Sequence, residues 1–137
     1  MRIKRFEEIA AWQESRKLTR MVYGVTNNPE FTRDFGLSGQ IQRAAVSVMS
    51  NVAEGFESGS KAEFIRFLSY ARRSASEVQC HLYVAADQRY VTAEEFRQIY
   101  DQAERSRKLV SAFARYLRQA GNDQPANRPT REPANAL

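Results

Sequence analysis

One cysteine, one histidine and one tryptophan occur in 137 residues, and the scarcity of the first two excludes several chemistries. Cys80 has no partner for an intrachain disulfide, and a single thiol with His81 falls short of a structural zinc site built from one chain. No metal or cofactor is expected, and a reducing, cytoplasmic setting fits. Glycine and proline are sparse, six and four residues, so long stretches carry no helix breaker. No apolar run approaches the roughly 18–20 residues that span a bilayer. The basic start Met1-Arg2-Ile3-Lys4-Arg5 leads into Glu7, Glu8 and Trp12-Gln13-Glu14 rather than into an export segment. The reading is a cytoplasmic chain without a membrane partner, and no β-hairpin signal is present.

What is present is patterned for helices. Hydrophobic residues make up 42% and charged residues 27%, values of an ordinary globular chain with one core. The first helix is expected from Phe6 to Thr26, stopped by Asn27-Asn28-Pro29. Its core stripe is expected at Ile9, Trp12, Thr19 and Tyr23, with Leu18, Met21 and Val25 forming a second apolar row opposite. The second helix runs from about Asp34 or Leu37 to Glu54, with Gly55 as its terminator and Gly59 loosening the link. Ser60-Lys61-Ala62-Glu63 is a capping-box pattern that opens a third helix reaching Asp87 or Gln88. Its core positions are Phe64, Phe67, Leu68, Ala71, Ala75, Val78, Leu82 and Ala85. A second box, Thr92-Ala93-Glu94-Glu95, opens a fourth helix with Phe96, Ile99, Ala103, Val110, Phe113 and Leu117 inward, ending near Ala120-Gly121. The fold class is therefore all-α, an antiparallel up-down-up-down four-helix bundle over residues 1–121. Residues 122–137, with Pro125, Pro129 and Pro133, are expected to be a disordered tail.

The second helix is unusual. At 100° per residue, Gln40, Arg43, Ser47, Asn51 and Glu54 share one narrow stripe, while Leu37, Ile41, Ala45, Val46, Val48, Met49, Val52 and Ala53 occupy most of the remaining circumference. Short amide and hydroxyl groups suit a shared hydrogen-bond network better than a plain solvated face. The stripe either faces water or belongs to a subunit interface, and the second apolar row of the first helix favours self-association.

Catalysis finds little support. Cys80 and His81 point about 100° apart on a helix and cannot act as nucleophile and base within one chain. A di-iron bundle needs two Glu-x-x-His motifs, but Glu77 precedes the only histidine by four positions. Residues 54–61 lack the glycine spacing of a phosphate loop. Glu7-Glu8 and Glu94-Glu95 sit near helix starts, where they oppose the positive helix end. No catalytic residue is assigned.

Charge is more suggestive. Lysine and arginine number 21 against 16 acids, a net +5 with pI near 9.7. Arg66, Tyr70 and Arg73 share the outer face of the third helix, and Arg97, Lys108 and Arg115 lie on the fourth. These are candidate nucleic-acid contacts. Taken alone, the same rows read more readily as solvated, interface or ion-paired charge, since Arg73 and Glu77 are four apart and Asp101 and Glu104 interrupt the fourth helix.

The segment Gln40-Ile41-Gln42-Arg43-Ala44-Ala45-Val46-Ser47-Val48-Met49-Ser50-Asn51-Val52-Ala53-Glu54-Gly55 resembles the signature of bacterial four-helix-bundle proteins encoded within 23S ribosomal RNA intervening sequences. Phe6-Glu7-Glu8-Ile9, Trp12, Tyr23, Phe35-Gly36-Leu37, Glu63-Phe64, Phe67-Leu68 and Ser74-Ala75-Ser76-Glu77 extend the likeness over roughly residues 6–117. Met49 stands where such proteins commonly carry proline, which implies a straighter helix here. The resemblance implies an all-helical protomer and a ring-like homo-oligomer, a pentamer, but no established activity. The family is also similar in fold to accessory proteins of diversity-generating retroelements, which work with a reverse transcriptase and RNA; fold alone does not fix function. The leading expectation is a non-enzymatic ring whose repeated basic surface takes RNA or a ribonucleoprotein, and the alternative is a protein-interaction scaffold without a nucleic-acid ligand.

Overall fold

In the computed structural model, residues 2–123 are described, and they fold as a helical bundle. A 3-10 turn, Phe6–Glu8, precedes α1, Ala10–Thr26. Between them Ile9 leaves helical geometry at φ −78° and ψ 122° and buries its side chain completely, so the expected continuous helix from Phe6 is broken there. Asn27-Asn28-Pro29 both ends α1 and starts another helix. The Asn28 side chain accepts from the Glu30 amide at 3.2 Å, Pro29 takes the first position, and a short α2 spans Pro29–Arg33. Asp34 then caps α3, Phe35–Glu57, by accepting from the Leu37 amide at 3.1 Å.

Gly55 does not terminate α3. It is buried inside the helix, and a Cβ there would sit 2.7 Å from Phe64 Cδ1, so the glycine is required by the close approach of that ring. The left-handed residue is Gly59, at φ 80°. Ser60 caps α4, Lys61–Asp87, by accepting from the Glu63 amide at 3.1 Å. Ahead of α5, Ala93–Asp123, the box closes in both directions: Glu95 N–H donates to Thr92 Oγ1 at 3.0 Å, and Thr92 N–H donates to Glu95 Oε1 at 2.9 Å. Because α5 runs to Asp123, it passes Gly121, where the sequence pattern places its end. The rest of the expected tail, 124–137, lies outside the described residues.

Each long helix packs on two others, α1 against α3 and α5, and α4 against α3 and α5. The short links at 58–60 and 88–92 suit helices that pack side by side. Ile41, Val48, Leu68, Leu82, Ile99, Phe113 and Leu117 are buried, each such side chain stabilising by roughly 1.5–3 kcal/mol. Phe64 meets Phe113 edge to face at 5.2 Å between centroids. Phe67 and Phe96, expected in the core, are only half-buried. In α1 the buried residues are Ala11, Ser15, Leu18, Val22 and Thr26, a face lying between the two rows expected from sequence. Leu18 thus belongs to the core and Tyr23 is exposed. Small residues there let α1 sit close, and Ser15 satisfies its buried hydroxyl by donating to the Ala11 carbonyl at 2.7 Å. Among the described residues no helix is long and apolar enough to cross a membrane.

Candidate interface and nucleic-acid surfaces

The polar stripe of α3 is a ridge with a groove on either side. Gln40, Arg43 and Glu54 are exposed, while Ser47 and Asn51 are half-buried. The middle of the stripe is engaged within the chain: Ser47 Oγ shares a 2.8 Å hydrogen bond with Ser74 Oγ of α4, and Asn51 Nδ2 donates to Ser47 Oγ at 2.9 Å and to its carbonyl at 2.8 Å. The Arg43 guanidinium folds back over Gly39, where a Cβ would lie 3.0 Å from Nη1. A groove of about 520 Å³ on one side is lined by Tyr23, Arg43, Val46, Ser50 and Glu54. On the other, a groove of about 300 Å³ is lined by Gln40, Arg43, Ser47, Glu77 and His81.

The α4 candidates form one stack. Arg66 pairs with Glu63 and donates from Nη1 to Tyr70 Oη at 2.8 Å. Its Cζ lies 5.6 Å from the Tyr70 ring centroid, and Arg73 Cζ lies 5.7 Å from the same ring. The Glu63 carboxylate pushes the Arg66 pKa further up. Arg73 does not pair with Glu77, and no carboxylate reaches it within ion-pair distance among the described residues.

On α5, Arg97, Lys108 and Arg115 are spaced by eleven and seven positions, which brings all three to one face. Carboxylates hold the first two: Arg97 pairs with Glu94 at 2.5 Å and Lys108 reaches Glu104 at 4.0 Å. Glu104 also accepts from Arg107 Nη2 at 2.5 Å and Gln79 Nε2 at 3.0 Å. Those donors, Arg107 foremost, hold its carboxyl well below the usual range, at about 2. Arg115 has no ion pair among the described residues.

Two features were missed from sequence. The first is a basic face on α1, where Arg16, Lys17, Arg20 and Tyr23 are exposed and Arg16 Cζ lies 5.9 Å from the Trp12 ring centroid. Trp12, Arg16, Arg20 and Tyr23 recur at spacings of four, four and three, a signal masked by assigning Trp12 and Tyr23 to the core. The second is an aromatic groove of about 540 Å³ between α4 and α5, lined by Tyr83, Phe96 and Tyr100 with Arg97 and Asp101 beside them. Phe96 and Tyr100 stack at 5.6 Å, and Tyr83 meets Phe96 edge to face at 5.1 Å. The neighbouring Tyr83 hydroxyl, with burial, raises the Tyr100 pKa. Cys80 is exposed, and no group of three or more histidine, cysteine or carboxylate side chains suited to a metal occurs among the described residues.

Comparison with known proteins agrees with this architecture. The family model described as 23S rRNA-intervening sequence protein matches residues 7–112. A crystal structure from Bacteroides thetaiotaomicron, described as a protein with unknown function from the S23 ribosomal protein family, is similar in fold. Its TM-score is 0.70 at 24% sequence identity, over 77% of this chain and 98% of that one. No curated protein sequence matches the chain.

Proposed function

The chain belongs to the 23S rRNA-intervening sequence protein family, and from that premise we propose that it is a non-enzymatic, ring-forming homo-oligomer, a pentamer, whose repeated basic surfaces bind RNA or a ribonucleoprotein. The observation that carries the binding reading is the α4 stack, in which two exposed guanidinium groups flank the Tyr70 ring. Such an arrangement offers charge to phosphate and a planar surface to a base. Five copies multiply the net +5 of one chain fivefold and set each row around a common axis, concentrating the field. Assembly is supported by the α3 ridge, whose exposed ends, Gln40, Arg43 and Glu54, project between two grooves.

Purification of the native complex, with its mass and any bound nucleic acid identified, tests both halves. A ring that retains no RNA and binds none at low salt would sink the binding reading. Asn51→Leu and Glu54→Ala test assembly: light scattering should report an altered oligomer for them, whereas an unchanged mass and thermal stability would return the ridge to solvent.

A second reading, a protein-interaction scaffold without nucleic acid, draws on the aromatic groove at Tyr83, Phe96 and Tyr100 and on the carboxylates that hold the α5 cations. Recovery of one defined polypeptide with the complex after nuclease treatment would favour it.

A further inference from the structure

We propose that the outward face of α1, built from Trp12, Arg16, Arg20 and Tyr23, is a binding face for single-stranded RNA, an inference that rests on the RNA reading above and adds to its α4 stack a second contact face and a strand class. Spacings of four, four and three put these side chains along one side of a helix. The opposite side, Ala11, Ser15, Leu18 and Val22, is buried against the bundle, so the row is held by a packed element. Arg16 and Arg20 are exposed, and neither has a carboxylate within ion-pair distance among the described residues.

The one carboxylate of α1, Glu14, is drawn to α5. It accepts from Gln102 Nε2 at 2.9 Å and from Arg105 Nε at 3.0 Å. The Gln102 hydrogen bond first, and Arg105 with it, holds its carboxyl below the usual range, so it stays charged and committed to that partner. Arg16 and Arg20 therefore face solvent without local neutralisation, whereas Lys17, three positions on from Glu14, lies within the field of that carboxylate. By contrast, Arg66, Arg97, Arg105, Arg107 and Lys108 each have a glutamate in reach.

Aromatic groups bracket these charges, Trp12 at one end of the row and Tyr23 at the other. Trp12 is half-buried and braced edge to face by Phe6 at 5.2 Å, with the Arg16 guanidinium over its ring. Tyr23, 43% exposed, lines the groove that also contains Arg43, with Glu54 as its one carboxylate. Cations that track a phosphate backbone, together with rings that stack on bases, are the physical requirements of single-strand binding. A duplex keeps its bases stacked on one another and gives the rings nothing to contact.

The test uses the full assembled chain and a labelled single-stranded RNA of roughly 16 nucleotides, the upper end of site sizes for such surfaces. Fluorescence anisotropy should show R16A/R20A weakening binding by about tenfold or more and lowering the salt slope by about 0.7 for each phosphate no longer neutralised. Tyr23→Ala should weaken the single strand by at least about fivefold, the low end for removing one ring from a base stack, while leaving a duplex of the same sequence unaffected. If R16A/R20A matches wild type while R66A/R73A loses affinity, the α1 face is wrong and the RNA reading survives. If wild type binds no RNA at low salt, both fall. Tyr23 lines the groove beside the α3 ridge, so an altered oligomeric mass for Tyr23→Ala or for R16A/R20A would overturn the proposal by showing the face to be a contact between copies.

Discussion

The outward faces of α1 and α5 hold comparable cations in different electrostatic company. On α5, Arg97 sits on Glu94, and Arg107 and Lys108 share Glu104. On α1, Arg16 and Arg20 have no such partner among the described residues; the helix's own Glu14 stands two and six positions from them, on another face, and is turned to Gln102 and Arg105. A census of basic residues favours α5, whereas the charge left after local pairing favours α1. What attracts an anion is the residual field, and that depends on where the carboxylates go.

The strongest perturbation should be in the core both faces share. Leu68→Ala removes a fully buried side chain and should cost about 2–5 kcal/mol in urea unfolding, destabilising both faces together. A loss far below that range would mean that the bundle is not packed tightly around α4.

Acid should separate the faces next. The Glu104 carboxyl is held at about 2 against an ordinary 4.5, so its stabilising contribution is complete above pH 4.5 and is lost as pH falls toward about 2. Glu104→Gln should flatten that decline, with a cost at neutral pH of about 1 kcal/mol or less for a network at the surface whose glutamate and Arg107 are only half-buried. R16A/R20A should leave the decline unchanged, and a change in it would show that the α1 cations do have carboxylate partners. A smaller effect is expected inside α5, where the buried Ser106 hydroxyl has no hydrogen-bond partner among the described residues. Ser106→Ala should raise the urea midpoint slightly or leave it unchanged, and a clear fall would reveal a partner for that hydroxyl.

The extent to which sequence revealed this molecule follows the type of signal. Large apolar residues at helical spacing located α4 and α5, and the boxes at Ser60 and Thr92 located their starts to within a residue. The α1 face was misread because Ala11 and Ser15, which lie innermost, carry little hydrophobic weight, while Trp12, half-buried against the edge of the core, and Tyr23, exposed, carry much. Gly55 was misread because a glycine supplies either a left-handed residue or space, and only the position of Phe64 across the bundle decides which. Asn28-Pro29 is a stop and a start at once, so α2 went unseen. The stripe on α3 was visible as a pattern, but its Ser74 partner depends on the register of α4, which no local pattern encodes. The α5 pairs of Arg97 with Glu94 and of Arg107 and Lys108 with Glu104 lie at three- and four-residue spacing and are legible locally, whereas the turn of Glu14 toward Gln102 and Arg105 is tertiary, and that concealed the difference between α1 and α5.

The proposal that the assembled chain holds RNA through its cations meets its sharpest check in a salt titration of RNA binding. Across about 50–200 mM salt the logarithm of the association constant should fall linearly with the logarithm of salt concentration, as phosphates exchange protein contacts for counterions. An affinity that does not change over that range, or no binding at its lower end, would contradict the account.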